Sequence, residues 1–175
     1  MAGTLIIYAT TDGQTRRICE RLKAKAEAAG AHVALAPIDE VGAGDLEAFD
    51  RIVIGASVRN GRHHRRVHAF VDAHARALDA KPNAFFSVNL VARKPDKNQP
   101  GTNPYLQKFL KEVRWRPKAT DVFAVKLDYP SYRFADRLMI RLIMLVTGGP
   151  TDPRAVVEFT DWQRVDAFAQ RVFGI

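Results

Sequence analysis

Five short apolar runs, unbroken rather than alternating, narrow what this chain can become: Leu5 to Tyr8, Val33 to Ala36, Ile52 to Ile54, Ala84 to Val88 and Val122 to Val125. They are rich in Val, Ile and Phe. A strand with one wet face alternates apolar and polar side chains, whereas a strand covered on both faces reads as a continuous run. The chain therefore needs layers on both sides of a sheet.

Helical patterns fill the gaps between the runs. The first spans about Gln14 to Ala29, with Ile18, Leu22 and Ala26 on one face and Gly30 as its stop. A second carries Val67, Phe70, Val71, His74 and Leu78, and the last carries Trp162, Val165, Phe168, Ala169 and Val172. Thr160 and Gln163 stand at capping-box spacing before that last helix. Alternating strands and helices imply a parallel sheet with helices on both faces. The expected fold is a flavodoxin-like, doubly wound α/β sheet of five strands in the order 2-1-3-4-5. Ligands then sit beyond the carboxyl ends of strands 1 and 3, where the strand order reverses. With 175 residues, one domain over 1–175 is expected.

Two segments exceed this plan. Arg93 to Thr102, "RKPDKNQPGT", is a polar loop. Tyr129 to Pro153 contains the dense apolar run "LMIRLIMLV" and reads as an insertion with its own task.

The loops at the expected ligand edge carry the chemistry. In "TTDGQT" the hydroxyls of Thr10, Thr11 and Thr15, the tight turn at Gly13 and the open N–H groups of a helix start at Gln14 make an anion site. The competing reading is a polar turn in which Asp12 or Thr11 caps the helix. No lysine follows the glycine, which argues against a Walker-type nucleotide site. After strand 3 comes "GASVRNGRHH" and after strand 4 "SVNLVARKP", both with small or amide side chains able to approach a flat ligand. Three such loops on one edge fit a phosphorylated planar cofactor, FMN. A phospho-receiver domain would need an Asp where strand 3 ends in Ala56 and Ser57.

Taken together, "TTDGQT", "IGASVRNGRHH", "SVNLVARKP", "WRP", "YPSYRFADRLMIRLIM" and "TDPRAVVEFTDW" resemble the menaquinone-dependent protoporphyrinogen IX dehydrogenases of bacteria over nearly the whole chain. The resemblance implies FMN-dependent, six-electron oxidation of protoporphyrinogen IX to protoporphyrin IX in haem biosynthesis. A membrane quinone, menaquinone or ubiquinone, would accept the electrons. It further implies that Thr10, Thr11, Asp12, Gly13, Gln14 and Thr15 hold the FMN phosphate. Ser57, Arg59, Asn60 and Gly61 would flank one side of the isoalloxazine, and Ser87, Val88, Asn89 and Leu90 the other. Asp12 is expected to point away from the phosphate and cap the helix, and Asn60 stands where a stacking aromatic is expected.

Net charge is +8, from 27 Lys and Arg against 19 Asp and Glu, which favours anionic partners. With the substrate the resemblance implies, Arg59 is the expected ligand for a propionate, and His64, standing where that family has a histidine, the expected proton acceptor. Arg133, Arg137 and Arg141 follow i, i+4, i+8 spacing and share a helical face beside many apolar residues. That helix could lie in an anionic membrane surface, or fold over the sheet as a core helix. A single cysteine, Cys19, permits no intramolecular disulfide and suits a reducing compartment. No run approaches the roughly 20 apolar residues of a spanning helix. The expectation is a peripheral protein on the cytoplasmic side of the inner membrane, without nucleic acid and with homo-oligomerisation left open. The alternatives are a flavodoxin-like NAD(P)H:quinone reductase or electron carrier, and a non-catalytic basic binding module. Carrier flavodoxins are usually acidic, and the arginines follow no nucleic-acid motif.

Overall fold

A computed structural model describes residues 3–175. Its first strand, β1 (Gly3–Ala9), pairs in parallel with β2 (His32–Pro37) on one side and β3 (Arg51–Arg59) on the other. Beyond β3 lie β5 (Asn83–Asn89) and β6 (Ala119–Ala124), also parallel. The spatial order is β2-β1-β3-β5-β6, and the short β4 (Arg62–His63) folds back antiparallel on β3 as a sixth strand. Two residues make no apolar run, so β4 is silent in a periodicity reading.

The continuous runs sort their side chains by the two-residue period of a strand. Leu5, Ile7, Ile52, Ile54 and Phe85 enter one core, while Ile6, Val53, Ala84 and Phe86 enter the other. The second core is closed by α1 (Gln14–Ala28) through Ile18, Leu22 and Ala26, and by α7 (Trp162–Phe173) through Val165 and Phe168. The first core is closed by α2 (Ala43–Ala48), α3 (Arg65–Ala73), α4 (Ala75–Asp79) and α5 (Pro104–Glu112). The helix expected through Val67 to Leu78 is in fact two, broken at His74, whose φ of −111° is not helical. The cap of α7 is Asp161, which accepts the Arg164 N–H, not Thr160; the Thr160 hydroxyl instead donates to Ala124 O at 2.7 Å. Gly55 lies in the centre of the sheet, where a Cβ would stand 2.2 Å from the Phe86 ring. The absent side chain is what lets that ring pack across β3.

The insertion is a unit of its own. β7 (Lys126–Asp128) and β8 (Val156–Glu158) form an antiparallel pair from which α6 (Phe134–Thr147) projects. It has a small core of Leu127, Tyr129, Tyr132 and Met144. Of the α6 side chains only Met144 is buried; Phe134 is 80% exposed, Leu145 70% and Val146 79%. It is not a core helix over the sheet.

Candidate functional site

The carboxyl ends of β1, β3 and β5 open onto one edge, and the α6 unit stands over it. Between them is a cavity of about 160 Å³. Its floor is Val58, Asn60 and Gly61 from the β3–β4 hairpin with Leu90 and Val91 after β5. Its roof is Met139, Ile140 and Ile143 of α6, and Tyr132 closes one side. The lining is chiefly apolar, which suits a flat, poorly soluble ligand.

The hairpin owes its shape to Asn60 and Gly61, at φ 52° and 76°. Positive φ at both central residues is the type I′ signature, and Asn-Gly is its favoured pair. The place of an expected aromatic at Asn60 is thus taken by a residue the turn demands.

The loop from β1 to α1 turns at Gly13, φ 86°, and the Thr10 hydroxyl accepts the Gly13 N–H at 3.0 Å. No side chain caps α1, and its first backbone bond runs from Arg17 N–H to Gly13 O. The N–H groups ahead of it are therefore open to an anion. The hydroxyl of Thr15 is buried and has no partner. A buried, orphaned hydroxyl in the first turn of an uncapped helix fits a phosphate oxygen.

Asp12 does not cap the helix, contrary to expectation. Its carboxylate accepts from the Arg59 guanidinium at 2.9 Å, and the other nitrogen of Arg59 reaches Asp136 of α6 at 2.5 Å. The negative charge of Asp12 beside the anion loop is thereby offset in part, one guanidinium being shared between two carboxylates. Arg59 is engaged twice and is not a free cation for a propionate. Thr11 and Ser57 face each other with hydroxyl oxygens 3.5 Å apart.

Several expected contacts are turned inward. Gln14 donates to Glu158 and to Thr160, both at 2.8 Å, and so ties α1 to the end of β8. Ser87, Val88 and Asn89 are fully buried; of the β5 group only Leu90 lines the cavity. Ser87 and Asn89 belong to a buried polar chain. His63 Nε2 meets Ser87 Oγ at 2.8 Å, Asn89 donates to Ser87 Oγ at 2.9 Å, and Asn103 donates to Asn89 at 3.0 Å. Asn89 in turn accepts the Ala92 N–H, and Asn103 caps α5. This chain fixes the loop that carries Leu90 and Val91.

The expected proton acceptor, His64, is an exposed helix cap: its Nδ1 accepts the Arg66 N–H at 3.1 Å, and it lies outside the cavity lining. Its neighbour His63 is the buried one, packed on Phe85 and Phe109, and burial drives its pKa down to about 3. A neutral His63 serves hydrogen bonding, not proton uptake at neutral pH. Burial also pushes the Tyr132 phenol above its ordinary range.

On α6, Arg137 donates to Tyr129 O at 3.0 Å and Arg141 to Thr151 O at 2.9 Å, so both brace the helix on its own flanks. Arg133 precedes the helix, exposed. Val125 and Leu127 also line the cavity, and the sequence reading named neither as a site residue.

Residues 5–154 match the flavodoxin domain family. The chain is 46% identical over 169 residues to the protoporphyrinogen IX dehydrogenase [quinone] of Escherichia coli (strain K12), covering 97% of this chain and 93% of that protein. To the protein of the same name from Leishmania major it is 40% identical over 166 residues, 94% of this chain and 72% of that one. Among solved structures, a short-chain flavodoxin associated with a non-canonical PDU bacterial microcompartment aligns over 99% of this chain and 98% of its own, with TM-score 0.61 and 13% identity. Oxidised flavodoxin 1 from Bacillus cereus aligns over 99% and 98%, with TM-score 0.55 and 15% identity. These two show the fold alone.

Proposed function

Because the chain belongs to the flavodoxin domain family, and within it to the quinone-linked protoporphyrinogen IX dehydrogenases, we infer that it oxidises protoporphyrinogen IX and passes the electrons to a quinone. It is an oxidoreductase and a flavoprotein. The observation that carries the reading is the juxtaposition of an uncapped, hydroxyl-bearing helix start with an apolar cavity beneath α6.

FMN is the flavin we propose, a reading supported by the uncapped start of α1 and the unpartnered Thr15 hydroxyl, which suit a terminal phosphate. Thr10, Gly13 and Thr15 and the first N–H groups of α1 would hold that phosphate, and Arg59 offsets the charge of Asp12 beside it. Asn60, Gly61 and Leu90 would border the ring system, placed by the I′ turn and by the His63–Ser87–Asn89 chain. Bound flavin supplies a two-electron acceptor for the porphyrinogen and a donor for the quinone. The chain's own part is to bind the macrocycle in an apolar setting, orient it and exclude water. His64 lies outside the cavity and the Asp12 carboxylate on its lining is held by Arg59, so the pyrrole proton is assigned to solvent.

The acceptor side follows from α6. Its outward arc of Phe134, Leu138, Leu142, Leu145 and Val146 is exposed, while Met139 and Ile143 of the same helix line the cavity. We propose that this arc rests in the interface of an anionic membrane on the cytoplasmic side, letting a lipid-soluble quinone, menaquinone or ubiquinone, reach the cavity. No helix of the described residues is long and apolar enough to cross a membrane.

The test is anaerobic. Flavin-loaded protein, protoporphyrinogen IX and a menaquinone analogue are mixed and porphyrin fluorescence is followed. Quinone-dependent fluorescence above the rate without protein is expected. Flavin binding without any porphyrin would end the substrate assignment and leave the fold standing.

A further inference from the structure

A porphyrinogen with two propionates needs cations near the cavity mouth, a requirement that rests on the reading above. Arg59 is held between Asp12 and Asp136. Arg137 and Arg141 bind backbone carbonyls, Arg93 binds Thr147, and Arg66 binds Asp39. Among the described residues, two arginines that directly follow a lining residue in the chain are left.

Arg62 directly follows the turn residues Asn60 and Gly61, which line the cavity, and pairs across the hairpin with Arg59. Residues directly opposite in an antiparallel pair present their side chains on the same face, and like charges there repel. The two carboxylates on Arg59 offset its charge. Arg62 is exposed and has no carboxylate or hydrogen-bond partner among the described residues. Arg133 follows Tyr132, another lining residue, and stands three positions before Asp136. It too is exposed, and its side chain has no partner among the described residues. The Arg59–Asp136 contact at 2.5 Å draws hairpin and helix together, with a free arginine on the chain to either side of that contact.

We propose that Arg62 and Arg133 form a two-cation clamp for the paired propionates of the porphyrinogen. The macrocycle enters the apolar cavity while its carboxylates stay at this lip. Guanidinium groups suit the task because each can take a carboxylate in two parallel hydrogen bonds.

The experiment compares protoporphyrinogen IX with its dimethyl ester, in detergent without lipid, for Arg62→Ala, Arg133→Ala, the double variant and the control Arg65→Ala. Each single variant is expected to raise KM for the diacid about fivefold, and the double variant more, with kcat, flavin affinity and the quinone KM unchanged. The diester should not distinguish variants from wild type, and Arg62→Lys should recover part of the loss. An unchanged KM for the diacid, or an equal rise for diacid and diester, overturns the clamp. If Arg133→Ala leaves the diacid KM unchanged in detergent and lowers only binding to anionic vesicles in a parallel co-sedimentation, its partner is a lipid phosphate and the two-cation clamp is wrong. Wild-type protein that neither binds nor turns over the diacid would instead remove the functional reading itself.

Discussion

Arg59 of the β3–β4 hairpin holds Asp136 of α6 at 2.5 Å while its other terminal nitrogen holds Asp12 of the anion loop at 2.9 Å. One guanidinium thus joins three segments that are far apart in the chain. Each element reaches the cavity by a different route, and this contact sets their spacing.

Removing Asp136 should therefore loosen the roof more than it destabilises the protein. Arg59 and Asp136 are both partly exposed, at 28% of their side-chain surface, so the pair contributes at most about 1 kcal/mol to folding. Asp136→Ala is expected to leave the melting temperature nearly unchanged and to speed amide exchange across Phe134–Thr147. Exchange rates in α6 identical to wild type would show that Arg137, Arg141 and Arg93 hold the helix alone.

Thr15→Val should act in opposite directions on the empty and loaded protein. Its hydroxyl is buried without a partner, so deleting it removes an unsatisfied group, worth about 1–3 kcal/mol, and apo stability should hold or rise. Affinity for FMN should fall about tenfold or more, since a hydrogen bond to a charged oxygen is lost. Riboflavin, which has no phosphate, is the control. An equal loss for riboflavin in a fluorescence titration would take Thr15 out of the phosphate cradle.

His63 gives a pH dependence whose sign is fixed. Its folded pKa lies near 3, against an ordinary value of 6.5, so between those pH values the unfolded chain binds a proton that the folded one refuses. Stability is full above pH 6.5 and falls on acidification through that window, by up to about 1.4 kcal/mol per unit. His63→Gln, which keeps an amide toward Ser87, should flatten that slope in urea melts between pH 7 and pH 5. A slope that survives the substitution would place its origin in other groups.

The contrast between His63 and His64 shows where sequence reading stops. Both stand in "GRHH", and nothing in their order says which is buried. Register decides it: His63 is paired with Val58 in the β4 ladder and turns onto Phe85 and Phe109, while the chain leaves the strand at His64. Ser87 and Asn89 were legible as polar residues at a strand end, but their inward direction depends on Asn103, which is donated by a helix start the periodicity did not reveal. The apolar runs, by contrast, needed no partner to be read. Ile6 and Ile7 face opposite cores whatever lies beyond them, so the sheet and its ligand edge were visible from the residues themselves.

The outward arc of α6 makes the last prediction. Leu142 is 61% exposed and Leu145 70%, and neither lines the cavity, so nothing in the folded chain is lost by making them polar. Helix propensity barely changes between Leu and Gln. If the arc rests in a membrane interface, each leucine contributes through the apolar surface it buries there. Leu142→Gln combined with Leu145→Gln should then reduce binding to anionic phospholipid vesicles at least about tenfold. Turnover with a short-chain, water-soluble quinone in detergent should be unchanged, and turnover with a long-chain quinone in vesicles should fall with the binding. Co-sedimentation and the fluorescence assay measure the two effects on the same preparations. Vesicle binding unaffected by both substitutions would mean that the arginines and lysines alone carry the protein to the surface, and that α6 roofs the cavity without entering lipid.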